Sequence, residues 1–220
     1  MNIFIVHAHE NPESFCSALK NKAVEIFETQ GDHVEISDLY KMNFNPIASQ
    51  KDFKSLSSAP YYKFQMEQKH AAENGLFADD LKAEMQKLEN ADLLIFNFPL
   101  WWFSIPAILK GWVDRVFAFG YSYGGDIGVY SNAITFKDKK ALLCFTTGGS
   151  EKSYQKDSMH AIDVETMLQP IQYNIFRFNG MVPLEPFIVF GPARLSEDAL
   201  KLKLLEYEKY LLKVRNILKK

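Results

Sequence analysis

Residues 96–124 read FNFPLWWFSIPAILKGWVDRVFAFGYSYG. An apolar strand runs straight into three large aromatics, Trp101, Trp102 and Phe103, and then into an amphipathic helix with Pro106 in its first turn. Connecting segments normally carry small polar residues. Aromatics at a strand-to-helix junction therefore point either to a flat apolar ligand stacked at the mouth of a sheet or to a small hydrophobic core.

Outward from this stretch, apolar runs of strand length alternate with segments of helical period, the pattern of a parallel sheet covered on both faces. Toward the N-terminus the spacing predicts a buried strand over 2–6 and a helix over 14–29, with Phe15, Leu19, Ala23, Val24 and Phe27 on one side and Gly31 closing it. A short strand follows over 33–37. From about 42 to 78 the pattern is lost, punctuated by Pro46, Pro60 and SLSSAPYYK, as in a surface excursion or a lid. A helix is predicted near 79–89, a strand over 92–98, and a helix over 105–119 with Ser104 as its cap. Beyond it come a strand over 140–146, a helix within 164–176, a strand near 184–190 and a last helix over 196–217. The whole, 1–220, reads as one domain with an insertion at about 42–78. Its expected class is α/β, a doubly wound, five-stranded parallel sheet of flavodoxin-like order 2-1-3-4-5 in three α/β/α layers.

At 220 residues one such core can bury about 70% of the surface of the unfolded chain without disulfides or structural metal. The formal net charge of −2 gives no electrostatic argument for a nucleic-acid binder or a strongly acidic electron carrier. Cys16 and Cys144 are the only cysteines, too few for a disulfide framework, and a reducing cytoplasm fits them. The segment MNIFIVHAHE has no secretory pattern, and no run approaches about 18 uncharged apolar residues.

In a sheet of this order, ligands bind outside the carboxyl ends of the strands. Three segments converge there. HAHENPESFCSA (7–18) leads into a helix N-terminus whose free N–H groups attract phosphate, and His9 either adds a donor or packs the loop. The aromatic junction is the second. In TTGGSEKSY (146–154), Gly148 and Gly149 allow close approach of a backbone to a flat ring, or simply form a turn. A phosphate site, an aromatic shelf and a glycine cradle on one sheet edge together describe a flavin pocket. Neither the dinucleotide fingerprint, the phosphate-binding P-loop, the serine elbow nor a helical metal motif is present, and the five histidines are too scattered for a metal site.

The chain resembles the NAD(P)H:quinone oxidoreductase family, the DT-diaphorase-like flavoproteins. The matching stretches are SDLYKMNFNPIASQKDF (37–53), FPLWWFSIPAILKGWVDRVF (98–117), YSY (121–123), TTGGS (146–150), and PIQYNIFRFNG with LEP (170–186). The resemblance implies bound FAD, with FMN the less expected flavin, NAD(P)H as donor, and a homodimer with shared sites. It also implies two-electron reduction of quinones and similar planar acceptors by a ping-pong cycle. Residue by residue it assigns His9, Ser14, Phe15 and Ser17, with Ala18 close by, to the flavin phosphates. Pro99, Leu100, Trp102 and Phe103 fall to the ring and ribityl contacts, and Thr146, Thr147, Gly148 and Gly149 to the ring edge. Tyr154 and His160 stand where the family has the tyrosine and histidine that assist hydride transfer, Tyr154 also touching the flavin. Trp102, Phe103, His160 and Phe178 line the substrate pocket, and Tyr121 and Tyr123 reach across the dimer to close the partner's site.

Three positions depart from the family: Cys16 stands for an asparagine, Glu13 for a small polar residue and Leu200 for the arginine of animal members. They bear on the adenosine half, and so on FAD against FMN. With Lys220 the last residue, the extra C-terminal domain of the animal members is expected to be absent, as in a bacterial member. The choice of NADH or NADPH is not readable. A flavin-binding accessory subunit of a transporter's cytoplasmic domain, such as a potassium-efflux system, is the alternative function.

Overall fold

The computed structural model describes residues 1–124, 126–127 and 135–219. A parallel sheet is built from β1 (Asn2–His7), β2 (His33–Asp38), β3 (Leu93–Pro99) and β4 (Lys140–Thr147), followed by two short strands, β5 (Val182–Pro183) and β6 (Phe187–Phe190). The order is β2-β1-β3-β4-β5, with β6 also on β4. The expected fifth strand is thus two pieces on one edge. Pro183 and Pro186 lack the N–H a continuous ladder needs, a deficit tolerated only at an edge.

Helix α1 (Phe15–Thr29) and helix α6 (Glu197–Leu218) cover one face, where Ile3, Ile5, Leu19, Phe27, Leu93, Ile95, Tyr207 and Leu211 form a buried core. Ser14 caps α1 and Ser196 caps α6. Both use the side-chain oxygen to accept an otherwise unpaired N–H of the first turn. The larger core lies on the opposite face, under α3 (Asp79–Asn90), α4 (Ala107–Val116) and α5 (Val164–Ile171).

Residues 42–78 are not patternless. They contain a 3₁₀ turn (Gln50–Asp52) and the helix α2 (Phe64–Asn74), ended by Gly75 at φ 69°. They are bound to the body by buried polar contacts. Arg115 on α4 donates to Asp52 (3.0 Å), Asp80 (2.9 Å) and the Asn45 carbonyl (2.7 Å). Gly111 is met so closely by Pro46 that a Cβ there would lie 2.2 Å from its carbonyl oxygen. The buried Glu67 takes the N–H and hydroxyl of Ser57 at 2.7 and 2.6 Å.

Two helix ends also differ from expectation. Ser104 does not cap α4: its N–H and C=O are spent on Trp101, and the helix starts at Ala107 after Pro106. Pro170 lies inside α5, and the chain continues as a π-helical turn (Gln172–Phe176), because proline supplies no N–H and crowds the carbonyl four residues back.

Candidate active site

Residues 101–104 form a tight turn in which Trp101 and Ser104 exchange backbone hydrogen bonds of 3.1 and 3.0 Å. Its central residues have positive φ, 50° at Trp102 and 60° at Phe103, as in a type I′ turn. For residues of this bulk the left-handed region costs about 1–2 kcal/mol each, and such strain concentrates at functional sites. The turn leaves Trp102 95% exposed. Its base is fixed by Pro99, paired with Thr146, and by Leu100, whose N–H donates to the Thr146 carbonyl at 2.7 Å.

Phe103 stands beside two of the assigned residues. Its ring lies 6.1 Å from that of Tyr154 and 4.9 Å from that of His160, edge-on in both cases, while Tyr154 and His160 are 6.4 Å apart. Tyr154 ends a 3₁₀ turn (Glu151–Tyr154) and rests on Phe190 at 5.7 Å. The loop to His160 is tied by Ser158, which donates to the Ser153 carbonyl and accepts the His160 N–H. A Cβ on Gly149 would meet the Tyr154 ring at 3.1 Å, whereas one on Gly148 would meet open space. The hydroxyl of Thr147 is committed to the Gly149 carbonyl at 2.7 Å, and Arg194 donates to the Gly148 carbonyl.

At the third segment, His9 accepts the Asn11 N–H on Nδ1 at 3.0 Å. Burial lowers its pKa against the opposing charge of Glu10, so the neutral ring carries its proton on Nε2 as a donor. Phe15 packs against the core under α1. The fully buried Ser17 hydroxyl is engaged by its neighbours, lying 2.8 Å from the Asn11 carbonyl and 3.2 Å from His7 Nε2, and accepting from Ser14 at 3.0 Å. Cys16 is also buried and contacts Asn97, and burial pushes its thiol pKa far up. Glu13 is exposed. Cys16 is turned to the sheet, and the first turn of α1 holds no acidic side chain. Its leading N–H groups and the dipole behind them remain suited to an anion.

Tyr121 and Tyr123 do not join the Phe103 group. The Tyr121 hydroxyl donates to the Met85 carbonyl at 3.2 Å, and burial raises its pKa well above the phenol range. Tyr123 packs on Phe119 and Phe178, each at 5.6 Å, and accepts from Gln65 at 3.2 Å.

Between α1 and α6 lies a groove of about 480 Å³ lined by Ala18, Asn21, Lys22, Lys201, Leu204 and Leu205. A cavity of about 650 Å³ at Met1, Asp92 and Lys140 opens at the amino ends of the strands, the opposite end of the sheet. Among the described residues no group of three His, Cys, Asp or Glu could hold a metal ion, and no helix is long and apolar enough to cross a membrane.

A buried row of polar residues was not anticipated. His7, Asn97 and Cys144 are in register across β1, β3 and β4, at the last residue of β1 and two and three residues before the ends of β3 and β4. Sequence offered a single hint, a histidine and an asparagine closing otherwise apolar strands. Burial lowers the pKa of His7 against the Asn97 hydrogen bond and the Asp38 charge, which both raise it.

An α1 N-terminus with a serine cap and no acid in its first turn, an aromatic turn and an open glycine edge, together at the carboxyl ends of a 2-1-3-4-5 sheet, define a flavodoxin-like protein with the donor set and flat walls a flavin needs. The model of the flavodoxin-like fold family matches residues 1–211. Rat ribosyldihydronicotinamide dehydrogenase [quinone] is 40% identical over 93% of this chain and 88% of its own length. Rat NAD(P)H dehydrogenase [quinone] 1 is 41% identical over 89% of this chain and 70% of its own. A crystal structure from Klebsiella pneumoniae, provisionally designated a quinone reductase, superposes with TM-score 0.91 at 30% identity, covering 97% of this chain and 85% of that one. The chain belongs to the NAD(P)H:quinone oxidoreductase family, within the flavodoxin-like fold.

Proposed function

We propose that the protein is an NAD(P)H dehydrogenase (quinone) that reduces quinones and similar planar acceptors by two electrons through a bound flavin. The observation that carries this is the meeting of Phe103, Tyr154 and His160 beside the Gly148–Gly149 edge. The flavin supplies the ring nitrogen that takes hydride from NAD(P)H and returns it to the acceptor. Ser14, the leading amides at Phe15 and beyond, and His9 Nε2–H hold the phosphates, with Ser17 bracing them. Pro99, Leu100, Trp102 and Phe103 wall the ring, and the backbone of Thr146, Thr147, Gly148 and Gly149 meets its polar edge. Tyr154 and His160 offer a phenol and an imidazole where negative charge would develop, to stabilise it by hydrogen bonding or proton donation.

FAD is preferred to FMN, because the α1–α6 groove continues from Ala18 and has room for an adenosine. Cys16 is buried beneath α1 and lies off that path, which removes one of the objections to it. The active form is a homodimer. Trp102 stands in water as a large apolar surface, and the Tyr123–Phe178 pair of a partner copy, with Tyr121 nearby in sequence, would complete the pocket over it. Donor and acceptor are both planar and need the same approach, so they occupy this pocket in turn and the kinetics are ping-pong. The chain forms one flavin-binding domain, 1–220, whose 42–78 segment is docked on α4 and is not a free lid. It acts in the cytoplasm. No observation favours the transporter-subunit alternative.

Initial rates with a benzoquinone at several NAD(P)H concentrations test this. Parallel double-reciprocal lines, and a light-scattering mass of two chains, are expected. Intersecting lines would remove the shared pocket, and an active monomer would remove the dimer. Tighter binding of FAD than FMN, lost in Leu204→Lys, tests the groove.

A further inference from the structure

We propose that His7 and Asn97 are positioning residues that set the phosphate-binding turn from beneath, acting through the hydroxyl of Ser17. The inference rests on the flavin reading above, and its test separates the two.

The polar row lies on the α1 face of a sheet whose neighbouring residues there are Ile3, Ile5, Leu93, Ile95 and Leu142. Polar groups buried in such a layer are costly unless paired, and these are paired in one direction, toward α1. Asn97 Nδ2 donates to the Cys144 carbonyl at 3.3 Å, which turns its Oδ1 toward His7 and Cys16. His7 Nδ1 lies 2.6 Å from that oxygen, so Nδ1 is the protonated nitrogen. On the other side of the ring Nε2 carries no proton and can only accept, so the Ser17 hydroxyl, 3.2 Å away, shares its single proton between Nε2 and the Asn11 carbonyl.

Ser17 is where the row meets the turn. Its oxygen contacts His7, the capping hydroxyl of Ser14 and the carbonyl of Asn11. Asn11 in turn fixes the rest of the segment, giving its N–H to His9 Nδ1 and taking the Glu13 N–H on Oδ1 at 2.9 Å. A chain of polar contacts thus runs from the sheet to Ser17, Ser14 and His9, three of the residues assigned to the phosphates. Of its buried members only Ser17 is assigned to the phosphates, and His7 and Asn97 act on it from below. An apolar residue at 7 would leave the α1 helix intact but remove one of the three partners that fix the Ser17 hydroxyl, loosening its hold on Ser14 and Asn11.

The test is flavin affinity of the full-length protein, by fluorescence quenching, for FAD, FMN and riboflavin. Riboflavin has the ring and ribityl chain without phosphate. His7→Leu is expected to weaken FAD and FMN by about tenfold, as for one lost buried hydrogen bond, with riboflavin unchanged. His7→Gln, whose amide can again reach Ser17, should restore most of the loss. Asn97→Leu and Ser17→Ala should repeat the His7→Leu pattern, so the idea stays testable should one variant fold poorly. Equal weakening of all three flavins, or no change in any, would overturn the positioning role. A wild-type protein that binds none of them would instead overturn the flavin reading itself.

Discussion

The imidazole of His160 meets the edge of the Phe103 ring at 4.9 Å with 65° between the planes. One residue comes from the turn after β3 and the other from the loop after β4, so the contact joins two sheet-end segments through side chains alone. Phe103 is also in edge contact with Tyr154, and this one ring orients both polar groups. Tyr154→Phe and His160→Ala should each slow the reduction of bound flavin by NAD(P)H, by about a hundredfold, with flavin affinity kept. Single-turnover absorbance measurements decide it. Wild-type rates in both variants would end their catalytic assignment.

The aromatic turn trades stability for shape. With Trp102 at φ 50° and nearly all of its side chain in water, Trp102→Gly removes left-handed strain and almost no packing. The flavin-free variant should gain about 1 kcal/mol, or roughly 2–4 °C in Tm, while binding flavin and quinone less well. A lower Tm would show that the turn is not strained.

The two glycines of the cradle should respond differently to alanine. Gly149→Ala brings a Cβ to 3.1 Å from the Tyr154 ring and 3.2 Å from the Ser153 side chain, which moves Tyr154, so turnover should fall with flavin still bound. Gly148→Ala adds a methyl in open space. Its Tm should be that of the wild type and its flavin affinity lower, because the methyl enters the volume assigned to the ring. Equal flavin affinities in Gly148→Ala and wild type would move the ring edge elsewhere.

Stability should fall in acid through Asp32, which accepts from Arg215 at 2.6 and 3.1 Å and from the N-terminal ammonium at 3.2 Å. Burial pushes its pKa up, but these partners outweigh it and leave the value below the ordinary carboxylate range. The stabilisation is therefore complete above about pH 4 and lost as pH falls through the lower folded value. Asp32→Asn should melt below wild type at pH 7, and the gap should close in acid. A gap that does not change with pH would assign the effect to packing.

Much of the scaffold was legible because its strands are apolar runs with no other plausible use. Ile3 to Val6 and Leu93 to Phe98 can only be buried, and Ser14 and Ser196 mark their helices by local chemistry. Helix α2 was illegible for the converse reason. Its sequence, FQMEQKHAAEN, has little apolar face, and it is held by Glu67 on Ser57 and by Gln68, which accepts the Phe119 N–H at 3.1 Å, contacts that helical spacing does not reveal. The turn at Trp102 carries no glycine or asparagine to announce positive φ. The His7, Asn97 and Cys144 row exists only once strand register is known, and the convergence of Phe103, Tyr154 and His160 became legible through family resemblance, not through spacing.

The most direct test is anaerobic rapid mixing of the FAD-loaded protein with NADH or NADPH, followed by a benzoquinone, reading flavin absorbance in both steps. The account predicts full two-electron bleaching by at least one nucleotide within the turnover time and full recovery of absorbance on adding quinone. Bound flavin that neither nucleotide reduces, or reduced flavin that quinone does not reoxidise, would contradict it.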